Sequence, residues 1–454
     1  MAFLLQENAD KVLQENADKL ILDGYPDTLT AAHTIDTVKQ KLDSVSHSLD
    51  ALRYKSTDRY WVGGAASWDG TAGSKWAYVS GGTGGAPVPT SSDNVYFDAA
   101  SGANTVTVAV GNTGALSIDC TGFTGTLAGS AALTIAGNLK LVAGMGFTYT
   151  GAVTFSATSG TKTIASGGNV WDGVGGIIFL GSGGTFQLID TLEFSNNRSL
   201  TLGAGATFDP NGQLVRWAGS GVSSATLEGS FTFYDLTING STSNGSTFNI
   251  NSNQTITNNL TISGNNSTTG RLLVRNTATG TPITLNAATV TMSNVDLMDI
   301  TGAGAGNWNL SDITGLSGDC GGNSGITFTT AVPQYYQTAV SSNWADSTKW
   351  FLGTNGTGGA GRVPLPQDTA IFDLNSITAG GKTITLNMAR IPTTTFAGVT
   401  NTPTLATSTT ASVFGSLTLD SGMILAASTN TYTFRGRGSH TLNCAGLTFQ
   451  KPIV

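Results

Sequence analysis

Val88-Pro-Thr-Ser-Ser-Asp-Asn-Val-Tyr-Phe-Asp98 aligns without a gap to Val363-Pro-Leu-Pro-Gln-Asp-Thr-Ala-Ile-Phe-Asp373, and five of the eleven pairs are identical. The offset is 275 residues, so the chain contains one unit twice. Upstream, Lys75-Trp76 matches Lys349-Trp350, Thr83-Gly-Gly-Ala86 matches Thr357-Gly-Gly-Ala360, and Ser67-Trp68 corresponds to Asn343-Trp344. Downstream, Gly160-Thr-Lys-Thr-Ile matches Gly438-Ser-His-Thr-Leu at an offset of 278. The unit reads as the cap or first turn of a module. Trp68, Trp76, Pro89, Asp93 and Phe97 form it in the first copy, and Trp344, Trp350, Pro364, Asp368 and Phe372 in the second. Large rings there would cover a strand edge that otherwise invites pairing with another chain. The functional alternative is a Trp-lined sugar site with Asp93 or Asp368 as its polar anchor.

Around this unit the chain consists of short β runs beside Gly, Asn or Ser, such as Thr105–Val110, Leu139–Val142, Leu200–Leu202, Phe231–Tyr234 and Val290–Met292. One tetrad recurs as Asn138-Leu-Lys-Leu, Ser199-Leu-Thr-Leu, Asn259-Leu-Thr-Ile and Ser416-Leu-Thr-Leu. Runs this short and numerous indicate a sandwich, a barrel or a solenoid, and the recurring tetrad favours the solenoid. Composition agrees. Charged residues are 11% of the chain, against about 25% in an ordinary soluble domain, while 39% are hydrophobic. Stacked turns bury a core with a modest apolar fraction and leave Thr, Ser and Asn outside.

The N-terminal segments differ. Leu-Gln-Glu-Asn-Ala-Asp-Lys occurs at Leu5–Lys11 and again at Leu13–Lys19, a period that reads as a small β-meander. Over 28–54, Ile35, Val38, Leu42, Val45, Leu49 and Leu52 are spaced 3, 4, 3, 4, 3. That is the a/d seam of a coiled coil, and β-branched Val at d argues for three strands. His33 and His47 fall at the outward f position. The expected organisation is therefore mainly β: a short meander of repeats at 1–24, a trimeric coiled-coil stalk at 25–57, a first β-solenoid or sandwich-like module at 58–333, and a second at 334–454. The second copy stops where the first still has nearly 150 residues to run, so the chain is expected to be the N-terminal part of a longer polypeptide.

Several function classes are disfavoured. The net charge is −7 with no Lys/Arg block, which argues against nucleic acid. No run of 18 apolar residues marks a membrane span, and the N-terminus carries acids where a signal peptide needs positive charge. Cys120, Cys320 and Cys444 are too far apart for a zinc cluster and read as core residues. No metal or cofactor is expected. Glycoside cleavage needs two facing carboxylates. Glu is confined to Glu7, Glu15, Glu193 and Glu228. Among local acid pairs, Asp312 with Asp319 and Asp296 with Asp299, the latter would point to opposite faces of a strand. No catalytic residue is assigned, and the chain reads as a non-enzyme.

The stretch from Asp319-Cys-Gly-Gly-Asn-Ser-Gly-Ile-Thr-Phe328 through Asn343-Trp and Lys349-Trp to Phe372-Asp373 resembles modules of tailed-bacteriophage virion structural proteins of the fibre or appendage type. The Leu-Gln-Glu-Asn-Ala-Asp-Lys repeats are similar to those opening other phage structural proteins. The resemblance covers about residues 59–454. It implies a fibre-like structural protein located on the virion, which the heptad seam would make a homotrimer. Residues 1–24 would contact other virion proteins, and the distal part would meet a host surface glycan or protein, as in a tail fibre. A capsid-attached head fibre or decoration protein, a secreted bacterial β-helix adhesin and a polysaccharide-degrading tail spike are the alternatives.

Overall fold

The computed structural model describes residues 41–42, 57–449 apart from 174, 196 and 314, and residue 453. From Thr57 onward the chain is a β-solenoid: strands of successive turns lie side by side in parallel register. One ladder runs Asn94–Tyr96, Ser117–Asp119, Leu139–Lys140, Gly160–Ala165, Gly184–Leu188 and Thr207–Asp209. Along another, Leu133, Val153, Ile177, Leu200, Leu227 and Ile250 stack one above the next. All six are buried, and each such side chain contributes about 1.5–3 kcal/mol by leaving water. The open choice between solenoid and sandwich is thereby decided for both modules.

The recurring tetrads explain the composition. The first Leu of each, Leu139, Leu200, Leu260 and Leu417, is buried. In three of the four, the polar residue before it binds the backbone of the next turn. Thr163 N donates to Asn138 Oδ1 (2.8 Å), Thr226 N to Ser199 Oγ (3.2 Å), and Thr441 N to Ser416 Oγ (3.0 Å). Asp190 likewise accepts from Ser166 N and Gly167 N, both at 2.7 Å. Short polar side chains thus satisfy N–H groups at corners that the sheets leave free. Glycine is needed where turns nearly touch: at Gly129 (φ 119°) an added Cβ would stand 2.2 Å from Val108 O.

Two large apolar cores form, one from Trp61 to Leu310 and one from Tyr336 to Tyr432. Each begins in the same way. Trp76–Ala77 runs antiparallel to Asp58–Trp61, with Trp61 opposite Trp76, and Trp350–Phe351 runs antiparallel to Pro333–Tyr336, with Tyr336 opposite Trp350. The other strand ladders among the described residues are parallel.

The expected stalk receives no structural support. Ile35, Val38, Val45, Leu49 and Leu52 lie outside the described residues, as does the meander at 1–24. Lys41 and Leu42 are helical, and Leu42 is 68% exposed. The other helices among the described residues are three short 3-10 turns, none of which can supply a heptad seam.

Candidate functional site

The repeated tryptophans are interior. Trp68, Trp76, Trp344 and Trp350 are all 0–1% exposed. In the first module Trp76 meets Trp61 edge-on at 5.0 Å and Trp68 at 5.5 Å, with Phe97 beside all three. In the second, Trp350 meets Tyr336 at 4.9 Å and Trp344 at 5.2 Å, and Phe372 takes the place of Phe97. No ring face is free to stack a sugar, so the Trp-lined sugar site is ruled out.

The paired aspartates also face inward. Asp93 accepts from Thr90 N (2.9 Å) and is ion-paired to Arg59 at 3.1 Å. Asp368 accepts from Leu365 N (2.8 Å) and Val332 N (2.9 Å) and is ion-paired to Arg362 at 2.6 Å. The two carboxylates hold the same turn, but their arginines come from different places in the repeat. Pro89 and Pro364 lie in the turn just before each aspartate.

The most unusual polar site joins the modules. Asp296 lies on the strand Val295–Met298 of the first module, between two guanidiniums. Arg271 donates to Asp296 Oδ1 through Nε (2.9 Å) and Nη2, and to Val295 O (2.7 Å) and Leu316 O (2.8 Å). Arg390, from the second module, donates to Asp296 Oδ2 through Nε (2.6 Å) and to Arg271 O through Nη2. The side chains of Asp296, Arg271 and Arg390 are 1%, 2% and 6% exposed. Burial opposes ionisation of Asp296, but the two guanidiniums outweigh it and hold the carboxyl below its ordinary value.

Around this triad, Asp299 accepts from Gly280 N (2.9 Å) and is ion-paired to Arg437 of the second module at 3.3 Å. Gln367 donates to Ser317 O (3.0 Å) and Thr329 O (2.8 Å) and accepts from Asp319 N (2.9 Å). Asn244 clasps Asn387 O and Ala389 N. Phe414 inserts beside Leu273, Met298 and Cys320. Burial drives the Cys320 thiol well above its ordinary value, which keeps it a neutral core group.

The candidate acids therefore have other work. Asp296 and Asp299 are brought together at the junction, but behind ion pairs, where no polysaccharide can reach them. Asp319 holds Gly321 N and Asn323 Nδ2, while Asp312 is exposed nearby. Glu193 pairs with Arg216 across adjacent turns. No group of three or more His, Cys, Asp or Glu side chains among the described residues is placed to hold a metal ion. No helix among them is long and apolar enough to cross a membrane.

Sequence reasoning missed the arginines. Arg271, Arg390 and the buried Arg198 do much of the bracing. Arg198 donates to Gly151 O (3.0 Å) and Asp172 O (2.8 Å), and burial brings its pKa down to about 10. A signal existed: with 21 Lys and Arg in 454 residues, an Arg inside an apolar run such as Arg271-Leu-Leu-Val or Ala389-Arg-Ile is a candidate buried pair.

The fold and this junction define the chain as a β-solenoid protein of two interlocked modules. No family model, no curated protein and no solved structure matches it.

Proposed function

We propose that the chain is a non-enzymatic structural fibre protein of a tailed-bacteriophage virion, acting as a homotrimer in host attachment. Residues 1–24 would face other virion proteins and the β modules would project outward. The β-solenoid is compatible with fibres, adhesins and tail spikes alike. The observation favouring a fibre over a spike is the inter-module triad: the acids that glycan cleavage would call on are engaged in joining the two modules. A buried ion pair is an expensive way to gain stability, and its best-attested use is to specify one arrangement of packed elements. A fibre that transmits contact at its tip benefits from that fixed geometry.

Two measurements test the reading. Antibodies against residues 57–449 should label intact particles on a projecting appendage. Label on the capsid would move the protein to a head fibre, and unlabelled particles would remove it from the virion. Purified protein incubated with host capsule should release no reducing sugar. Release that is abolished by Asp296→Asn would restore the tail-spike reading.

A further inference from the structure

The duplication supplies an internal control for what the fold needs. Positions required by the turn geometry persist in both copies: Trp68 and Trp344, Trp76 and Trp350, Asp93 and Asp368, Phe97 and Phe372. One feature of the outer sheet face does not persist. In the first module an in-register outward column runs Tyr60, Tyr96, Asp119, Lys140. The matching column of the second module runs Tyr335, Ile371, Thr395, Thr418. The solenoid therefore tolerates Ile, Thr and Thr where the first module has Tyr96, Asp119 and Lys140.

The first column has relief. Tyr60 and Tyr96 stack at 4.7 Å with ring planes 13° apart, so Tyr60 backs one face of Tyr96. On the other side the next turn carries the short Asp119 and the one after it the long Lys140. Turns lie about 4.8 Å apart, so Tyr96 and Lys140 wall a notch roughly 10 Å across. Beside it, Asn94, Ser117, Asn138 and Thr163 line a shallow groove of about 280 Å³ together with Tyr96, Asp119 and Lys140. An aromatic wall faces amide, hydroxyl, carboxylate and ammonium groups. That is the chemistry that recognises a sugar ring: its C–H face packs on the aromatic ring, and its hydroxyls both donate and accept.

Charge narrows the ligand. Lys140 forms no ion pair with a described residue, but Asp119 adjoins it and Asp58 accepts from Asn94 Nδ2 at 3.0 Å beside the tyrosines. Two carboxylates against one ammonium disfavour an acidic sugar and suit hydroxyls as donors.

We infer that the notch between Tyr96 and Lys140 on the outer face of the first module binds a neutral oligosaccharide laid across the solenoid axis, with one sugar ring packed on the open face of Tyr96. This rests on the host-attachment reading and names its ligand class. The test uses the full-length protein on an array of neutral and acidic bacterial cell-surface oligosaccharides, four to eight sugars long. Wild type should bind neutral members. The triple variant Tyr96→Ile, Asp119→Thr, Lys140→Thr, which installs residues the second module already carries, should fold normally by circular dichroism and bind at least tenfold more weakly. Tyr96→Phe should keep binding, and Ser117→Trp, which fills the groove, should lose it. Binding that the triple variant retains, binding to acidic members alone, or no binding by wild type would each overturn the inference. Loss of particle labelling with array binding intact would instead remove the virion reading and leave the site standing.

Discussion

Asp296 of the first module and Arg390 of the second stand 94 positions apart and share a 2.6 Å hydrogen bond in a site closed to water. Arg271 completes the triad from the other side. An unpaired charge in this buried place is strongly unfavourable, so the three depend on one another. Phe414 and Gln367 secure the same junction by packing and by hydrogen bonds to backbone.

Replacing Asp296 with Ala should destabilise the protein by about 3–5 kcal/mol, because two guanidiniums would remain buried without a carboxylate. Denaturant unfolding measures the loss. The double variant Arg390→Met with Asp296→Leu should recover part of it, since an apolar junction avoids the unpaired charge. Equal stability of Asp296→Ala and wild type would contradict the account.

The junction should be acid-labile in a defined window. The folded carboxyl of Asp296 titrates below its ordinary 3.8. Its stabilising contribution is therefore complete above that value and is lost as pH falls below it through the folded pKa. Hydrogen-exchange protection of residues 387–391, measured against the intrinsic rate at each pH, should fall below about pH 3.8. In Asp296→Asn the same amides should exchange faster than wild type at neutral pH and show less change through that window.

Trp68→Ala and Trp344→Ala should each cost about 3–5 kcal/mol, the range for emptying a buried indole site. Because the two cores are separate clusters, protease sensitivity should rise first in the module carrying the change. Loss confined to the other module would show that the rings act elsewhere than where they pack.

The proposed homotrimer has its basis in the heptad spacing from Ile35 to Leu52 in the sequence. Leu42→Asp combined with Leu49→Asp should convert a trimer to monomers in sedimentation, because unpaired charges in a buried seam are strongly destabilising. A monomeric wild type would discard the trimer together with its stalk.

Much of the fold was legible because a solenoid is local and repetitive. The tetrads headed by Asn138, Ser199 and Ser416 mark corners where a buried Leu follows a residue that serves the next turn's backbone. The duplicated Trp, Asp and Phe positions marked where each stack begins. The inter-module contacts were not legible. Arg390 corresponds in the repeat to Gly114 and Phe414 to Ala136, so alignment of the copies shows these positions only as differences.

The sequence by itself determined the β class and the existence of two homologous modules, since these follow from residue patterns repeated along the chain, whereas the choice of a solenoid over a sandwich came from the parallel register of successive turns. Tertiary structure alone decided what the scarce charges do. Asp296 read as half of a possible acid pair until two arginines, 25 and 94 positions away, were found closing on it. Tyr96, Asp119 and Lys140 are 23 and 21 positions apart along the chain, and only parallel register sets them side by side. A solenoid brings residues together at the period of its turns, and that period varies with every loop. Which side chains meet is therefore settled only when the turns are wound.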